Sequence, residues 1–227
     1  MLRFLTALFL LLFPLLAQAQ SPVSVNLDSI ASITFPAAPQ VLDTLGQRIY
    51  SAQANEGTYM VTSRRLDNQP GFKLAQGELS DFYLGLARGA TQASGGKVLR
   101  QKSFAVDGLD GLELTYTNTT NQTLPAEITS RSVYVNGYLI TYQVLPTGKP
   151  GPQHPQQQAA FFSSFRLQPQ LVNNARQYTL NAEGEPDQSQ AGRLGYVVGQ
   201  AAFYLLLAVG LFLLVRRLTQ RSRKQRA

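Results

Sequence analysis

Residues 131–144 read RSVYVNGYLITYQV. Two β-rich runs, Ile128 to Val135 and Tyr138 to Leu145, flank Asn136-Gly137. A two-residue type I′ turn needs positive φ at both central positions, and Asn-Gly is the dipeptide that tolerates it best. The stretch therefore predicts an antiparallel hairpin. Upstream, Lys97 to Phe104 reads as one strand. Leu112 to Asn118 reads as another, with Leu112, Leu114 and Tyr116 on one face. Four consecutive antiparallel strands follow from these spacings.

Working outward, Arg48 to Gln53 and Thr58 to Arg64 are β-rich and are separated by Asn55-Glu56-Gly57, a second hairpin signal. Ile33 to Phe35 is a short strand stopped by Pro36 and Pro39. Ser80 is the expected N-cap of a helix ending near Ala93, with Phe82, Leu86, Ala90 and Ala93 on one face. Gly85 and Gly89 weaken that helix, and Ser94-Gly95-Gly96 ends it. A second, short helix is expected over Pro155 to Ser164, with Pro155 near its first position. The order is strand, hairpin, helix, four strands, helix. It reads as an α+β domain, an antiparallel β-sheet with flanking helices.

The ends carry different information. MLRFLTALFLLLFPLLAQAQ has a positive Arg3, an apolar run from Phe4 to Leu16, and the small-x-small site Ala17-Gln18-Ala19. These are the parts of a secretory signal, so 1–19 is expected to be removed and Gln20 to begin the mature chain. From Leu194 to Val215 no residue is charged. At 1.5 Å per residue that length suits one membrane crossing. Arg216, Arg217, Arg221, Arg223, Lys224 and Arg226 follow, a positive-inside stop signal that also favours anionic lipid. The expected topology is single-pass in the inner membrane, with a periplasmic domain (20–167), a polar stalk (168–193), one C-terminal transmembrane helix (194–215) and a basic cytoplasmic tail (216–227). Gly195, Gly199 and Ala202 form a small-residue face that suits a helix–helix contact, such as a weak dimer through the span.

Composition narrows the chemistry. The chain has 20 basic and 13 acidic residues and a net charge of +7, but seven of the basic residues lie at the two ends. The segment between Gln20 and Arg193 is neutral, so it lacks the electrostatic footprint of nucleic-acid binding. With no cysteine, thiolate catalysis, Cys-based metal sites and disulfides are excluded. The single histidine, His154, lies in a proline-flanked stretch and reads as a solvated loop residue. Gly95-Gly96-Lys97 fails as a phosphate loop, because it precedes a strand and Val98 stands where Ser or Thr is needed. Asp107, Asp110 and Glu113 in DGLDGLE lack EF-hand spacing and read as a turn with one outward glutamate. No catalytic, metal or cofactor set is therefore expected.

Several stretches, taken in order, resemble the secreted bacterial domains of the PsbP/Mog1-like superfamily. They are the FPAAP opening (Phe35 to Pro39), GLDGLE (Gly108 to Glu113), the hairpin from Arg131 to Tyr138, and FFSSF (Phe161 to Phe165). The resemblance covers about 135 residues and implies an αβα sandwich around an antiparallel sheet. It supplies no shared catalytic residues; members act as binding or assembly factors. The function expected is a non-enzymatic, membrane-anchored extracytoplasmic domain that binds an envelope protein or a small ligand. Two alternatives stand beside it. One is a subunit of a larger envelope membrane complex that associates through its span. The other is a hydrolase using carboxylates or a Ser/Lys pair.

Overall fold

The Asn136-Gly137 hairpin sits near the middle of the sheet. In the computed structural model, which describes residues 21–54, 57–69, 71–147, 151–179 and 190–204, these two residues have φ of 48° and 83°. They join β8 (Glu127–Val135) to β9 (Tyr138–Pro146), with Val135 opposite Tyr138. A similar positive-φ pair, Asp107 and Gly108, joins β6 (Val98–Val106) to β7 (Leu109–Thr117). The earlier hairpin is β4 (Gln47–Ala54) and β5 (Gly57–Arg65). Together with β3 (Gln40–Thr44) they build a seven-stranded sheet in the order β3-β4-β5-β9-β8-β7-β6, each neighbour antiparallel. A three-stranded sheet of β1 (Val23–Leu27), β2 (Ala31–Phe35) and β10 (Arg166–Leu167) stands apart. Pro36 and Pro39, neither able to donate to a ladder, lie between the two sheets in the chain. Strands β1 and β3 add to the sequence expectation.

Both faces of the large sheet are covered. Alternation sends Leu112, Leu114, Tyr116 and Ile128 to one face, into a core with α1 (Leu79–Ala93). The same face receives α3, helical over 190–204. On the other face Val61, Val133, Ile140, Tyr142 and Val144 meet α2 (His154–Ser163) and the small sheet. The central strands are apolar at successive positions because both of their faces are buried. The architecture is α+β, a three-layer arrangement around an antiparallel sheet.

Three sequence expectations are corrected. Helix α1 is capped at Glu78, not Ser80: Phe82 N–H donates to the Glu78 carbonyl at 3.0 Å, and the Glu78 carboxylate turns back to accept from Ala75 N–H at 2.7 Å. His154 is not a solvated loop residue. It opens α2 and is only 8% exposed, its Nδ1 without a hydrogen-bond partner. Glu113 does not point to solvent; it is buried.

The region expected to be a stalk begins as part of the domain. Gln168 N–H donates to Ile30 O at 2.9 Å, Asn136 N–H to Arg176 O at 2.8 Å, and Thr179 N–H to Leu74 O at 2.8 Å. Helix α3 then lies on α1, with Ala191, Val198 and Phe203 buried. Among the described residues no helix is long and apolar enough to cross a membrane. Residues 1–20 and 205–227, where the expected signal sequence, the inner half of the expected span and the expected basic tail fall, lie outside the described residues.

Candidate functional site

Strand register places Lys102 opposite Glu113, Glu113 opposite Arg131, and Arg131 opposite Tyr142. Directly opposed residues on adjacent strands share a face, so these four side chains form one row across β6, β7, β8 and β9. Arg100, two residues before Lys102, leans into the same row. The Glu113 carboxylate is the hub. Its Oε2 accepts from Arg131 Nε at 2.8 Å, while its Oε1 meets Lys102 Nζ at 3.2 Å and Arg100 Nη2 at 3.4 Å. Side-chain exposure rises outward along the row, from 5% at Glu113 and 23% at Arg131 to 51% at Lys102 and 60% at Arg100. One carboxylate thus faces three cations, which leaves two unbalanced positive charges at the rim.

Aromatic rings fix the central guanidinium. Arg131 lies 4.7 Å from the Phe104 ring centre and 5.1 Å from that of Phe162, a cation–π arrangement on two sides. Phe104 stands opposite Gly111 on the neighbouring strand, and a Cβ there would run into its ring. Gly111 therefore lets Phe104 lie flat beside Arg131. Burial pushes the Glu113 carboxyl up, but the hydrogen bonds from Arg131 and Lys102 outweigh it and hold the group below the usual carboxylate range. At the buried end of the row, the Tyr142 ring stacks on Phe165 with centres 5.1 Å apart. Burial raises the Tyr142 phenol, against the opposing influence of Arg131.

The β6–β7 hairpin also borders an open cleft of about 820 Å³, walled by the start of α1 and by Ala175, Gln177 and Tyr178. Part of its polar lining is tied up in hydrogen bonds. Tyr83 OH donates to Asp110 O at 3.0 Å and accepts from Tyr134 N–H at 2.9 Å. The Gln177 amide donates to Asp110 O at 2.7 Å and to Tyr134 O at 2.9 Å, and accepts from Asp110 N–H at 2.9 Å. Burial raises the Tyr83 phenol, so it stays protonated and serves as a brace.

A hydrolytic site needs a nucleophile beside a base. Lys102 is paired with Glu113, and His154 sits on α2. Among the described residues no three His, Asp or Glu side chains gather into a metal set. Asp107 of the DGLDGLE stretch accepts from Leu167 N–H at 2.8 Å, and Asp110 engages Gln177 through its backbone, so Glu113 alone of the three enters the charged row.

The small-residue face lies elsewhere. Gly195 and Gly199 meet α1 of their own chain, where a Cβ at either would run into the carbonyl oxygen of Phe82 or Leu86. Ala202 borders a cavity of about 30 Å³ between α3 and the sheet. Ala17, Ala19, Gln20 and the basic residues from Arg216 to Arg226 lie outside the described residues. Sequence reading missed the Glu113 row. Its trace was there: two cations at alternate positions of one strand, Arg100 and Lys102, and a charge in the middle of each of the next two strands, Glu113 and Arg131.

No family profile and no curated protein matches the chain. Among solved structures it is similar to the solution structure of cyanobacterial PsbP (CyanoP) from Synechocystis sp. PCC 6803, at 14% identity and a TM-score of 0.48, covering 67% of this chain and 95% of that one. It is also similar to a protein of unknown function from Pseudomonas aeruginosa, at 15% identity and a TM-score of 0.36, covering 63% and 92%.

Proposed function

We propose that the chain is a non-enzymatic extracytoplasmic binding or assembly domain of the PsbP/Mog1-like kind, held at the inner membrane by its C-terminal segment, and that it engages an anionic partner at the envelope. The observation that carries this reading is the Glu113 row. A buried carboxylate pins three cations to a rigid sheet and leaves two positive charges in excess at an exposed rim. Such a patch steers and orients an acidic surface more than it supplies raw affinity. The targeting signals at the two ends and the neutral balance of the intervening segment support the address. The hydrogen bonds that hold Tyr83 and Gln177 in the cleft give those two groups a bracing role.

The test is chemical crosslinking in intact membranes. The full chain is compared with an Arg100→Glu/Lys102→Glu variant across a salt series. The wild type should capture a specific acidic partner, and capture should weaken as salt rises. The double reversal should lower recovery by about tenfold, as expected when like charges face one another across an interface. Equal recovery by both forms at every salt concentration would remove the row from the binding surface.

A further inference from the structure

Helices α1 and α3 meet backbone to backbone at four glycines. A Cβ on Gly85 would run into the Gly192 carbonyl and come within 2.9 Å of Tyr196 N; one on Gly89 would run into the Tyr196 carbonyl and come within 2.9 Å of Gln200 N. The reverse holds from α3. A Cβ on Gly195 would meet Phe82 O and lie 2.9 Å from Leu86 N, and one on Gly199 would meet Leu86 O and lie 2.9 Å from Ala90 N. Two small-xxx-small faces, one on each helix, are therefore interlocked. Interior glycine costs a helix about 1 kcal/mol relative to alanine, and α1 carries that cost twice at the spacing α3 requires. Polar contacts close the rim: Tyr196 OH donates to Gln92 Oε1, and Gln200 Nε2 donates to Tyr196 OH at 2.9 Å. Below, Phe203 and Ala202 lie over a stripe of Ser130, Ser132, Thr141 and Gln143 on the sheet.

The same residues are half of the uncharged run from Leu194 to Val215. With 190–204 seated on α1, only 205–215 would remain before Arg216 and Arg217. A helix over those eleven residues rises about 16 Å, roughly half of the ~30 Å hydrocarbon layer. We propose that the groove over Gly85 and Gly89 is a docking site for the chain's own residues 190–204, and that the seated helix and a bilayer-spanning 194–215 are alternative states of one segment. This rests on the membrane reading above. Release of the helix uncovers Leu86, Ala90 and the hydroxyl stripe, so membrane insertion and exposure of this groove are coupled.

The absence of cysteine makes the test clean. The full chain carrying Gln92→Cys and Tyr196→Cys is synthesised in the presence of phosphatidylethanolamine/phosphatidylglycerol vesicles. It is treated with a short bismaleimide and separated by alkaline carbonate extraction, and the internal link is read by mass. The link should be enriched about tenfold in the extractable fraction over the carbonate-resistant one, as for two exclusive populations. Adding Gly195→Leu, which leaves the run apolar but fills the helix contact, should abolish the link in every fraction while the resistant fraction persists. Equal linking in both fractions overturns exclusivity and leaves the membrane reading standing. A link that survives Gly195→Leu overturns the glycine seat. A chain that is never carbonate-resistant removes the membrane reading and this inference with it.

Discussion

Replacing Glu113 by Gln tests whether the charged row is a built element or a crowd of surface charges. The substitution keeps the shape and one acceptor but removes the charge facing Arg131, Lys102 and Arg100. The bond from Arg131 Nε is short, at 2.8 Å, and shielded; a hydrogen bond to a charged group contributes about 1.5–3 kcal/mol. The other two cations are half exposed or more, so each pair is worth at most about 1 kcal/mol. The expected loss at pH 7 is therefore about 2–4 kcal/mol, which for a chain of this size lowers Tm by roughly 4–16 °C. The sign with pH follows from the depressed carboxyl. A group whose folded pKa lies below its unfolded value stabilises fully above the unfolded value, about 4.3 for glutamate. That contribution is lost as pH falls through the folded value. Thermal and urea melts of the full chain in mild detergent should show wild type and variant well separated at pH 7 and converging below about pH 4. A variant within about 0.5 kcal/mol of wild type at pH 7, or a gap that persists undiminished in acid, refutes the reasoning.

Other perturbations read single contacts. Gly111→Ala should push the Phe104 ring off Arg131 and cost about 1–3 kcal/mol by overpacking, seen in the same melts. Tyr83→Phe removes the donor to Asp110 O and strands the buried Tyr134 N–H, for about 1–3 kcal/mol; amide exchange at Tyr134 should accelerate. His154→Phe removes a buried nitrogen that has no partner, so stability should hold or rise, because replacing an unsatisfied polar group by an apolar one of similar shape is near neutral or favourable.

Much of the fold was legible because its signals are local. Asn136-Gly137 and Asp107-Gly108 each form a two-residue turn between neighbouring strands of the large sheet, and both sit at positive φ. Strand β3 was not legible. Its residues are almost wholly exposed at the sheet edge, so no buried face imposes alternation on its sequence. Glu113 was read as outward because a strand with one wet face alternates, whereas here Arg131, Phe104 and Phe162 cover part of that second face. The glycines of α1 read as weaknesses of a helix. Only the long-range approach of α3 shows that they are contact points, and an intrinsic propensity carries no trace of its partner.

The two sites lie on opposite faces of one sheet, and that makes them separable. Glu113, Arg131 and Tyr142 face α2, while Leu112, Leu114 and Tyr116, offset by one residue along the same strand as Glu113, face α1 and α3. Arg100 and Lys102 sit on β6, the edge strand, where exposed cations also discourage pairing with another chain. Reversing their charge alters the rim of one face and touches neither Gly85 nor Gly195. The Arg100→Glu/Lys102→Glu variant should therefore lose its anionic partner yet form the Gln92→Cys/Tyr196→Cys link at the wild-type level in the carbonate-extractable fraction. A fall in that link would mean that the two faces communicate through the sheet, and binding at the row and release of α3 would then have to be treated as one coupled event.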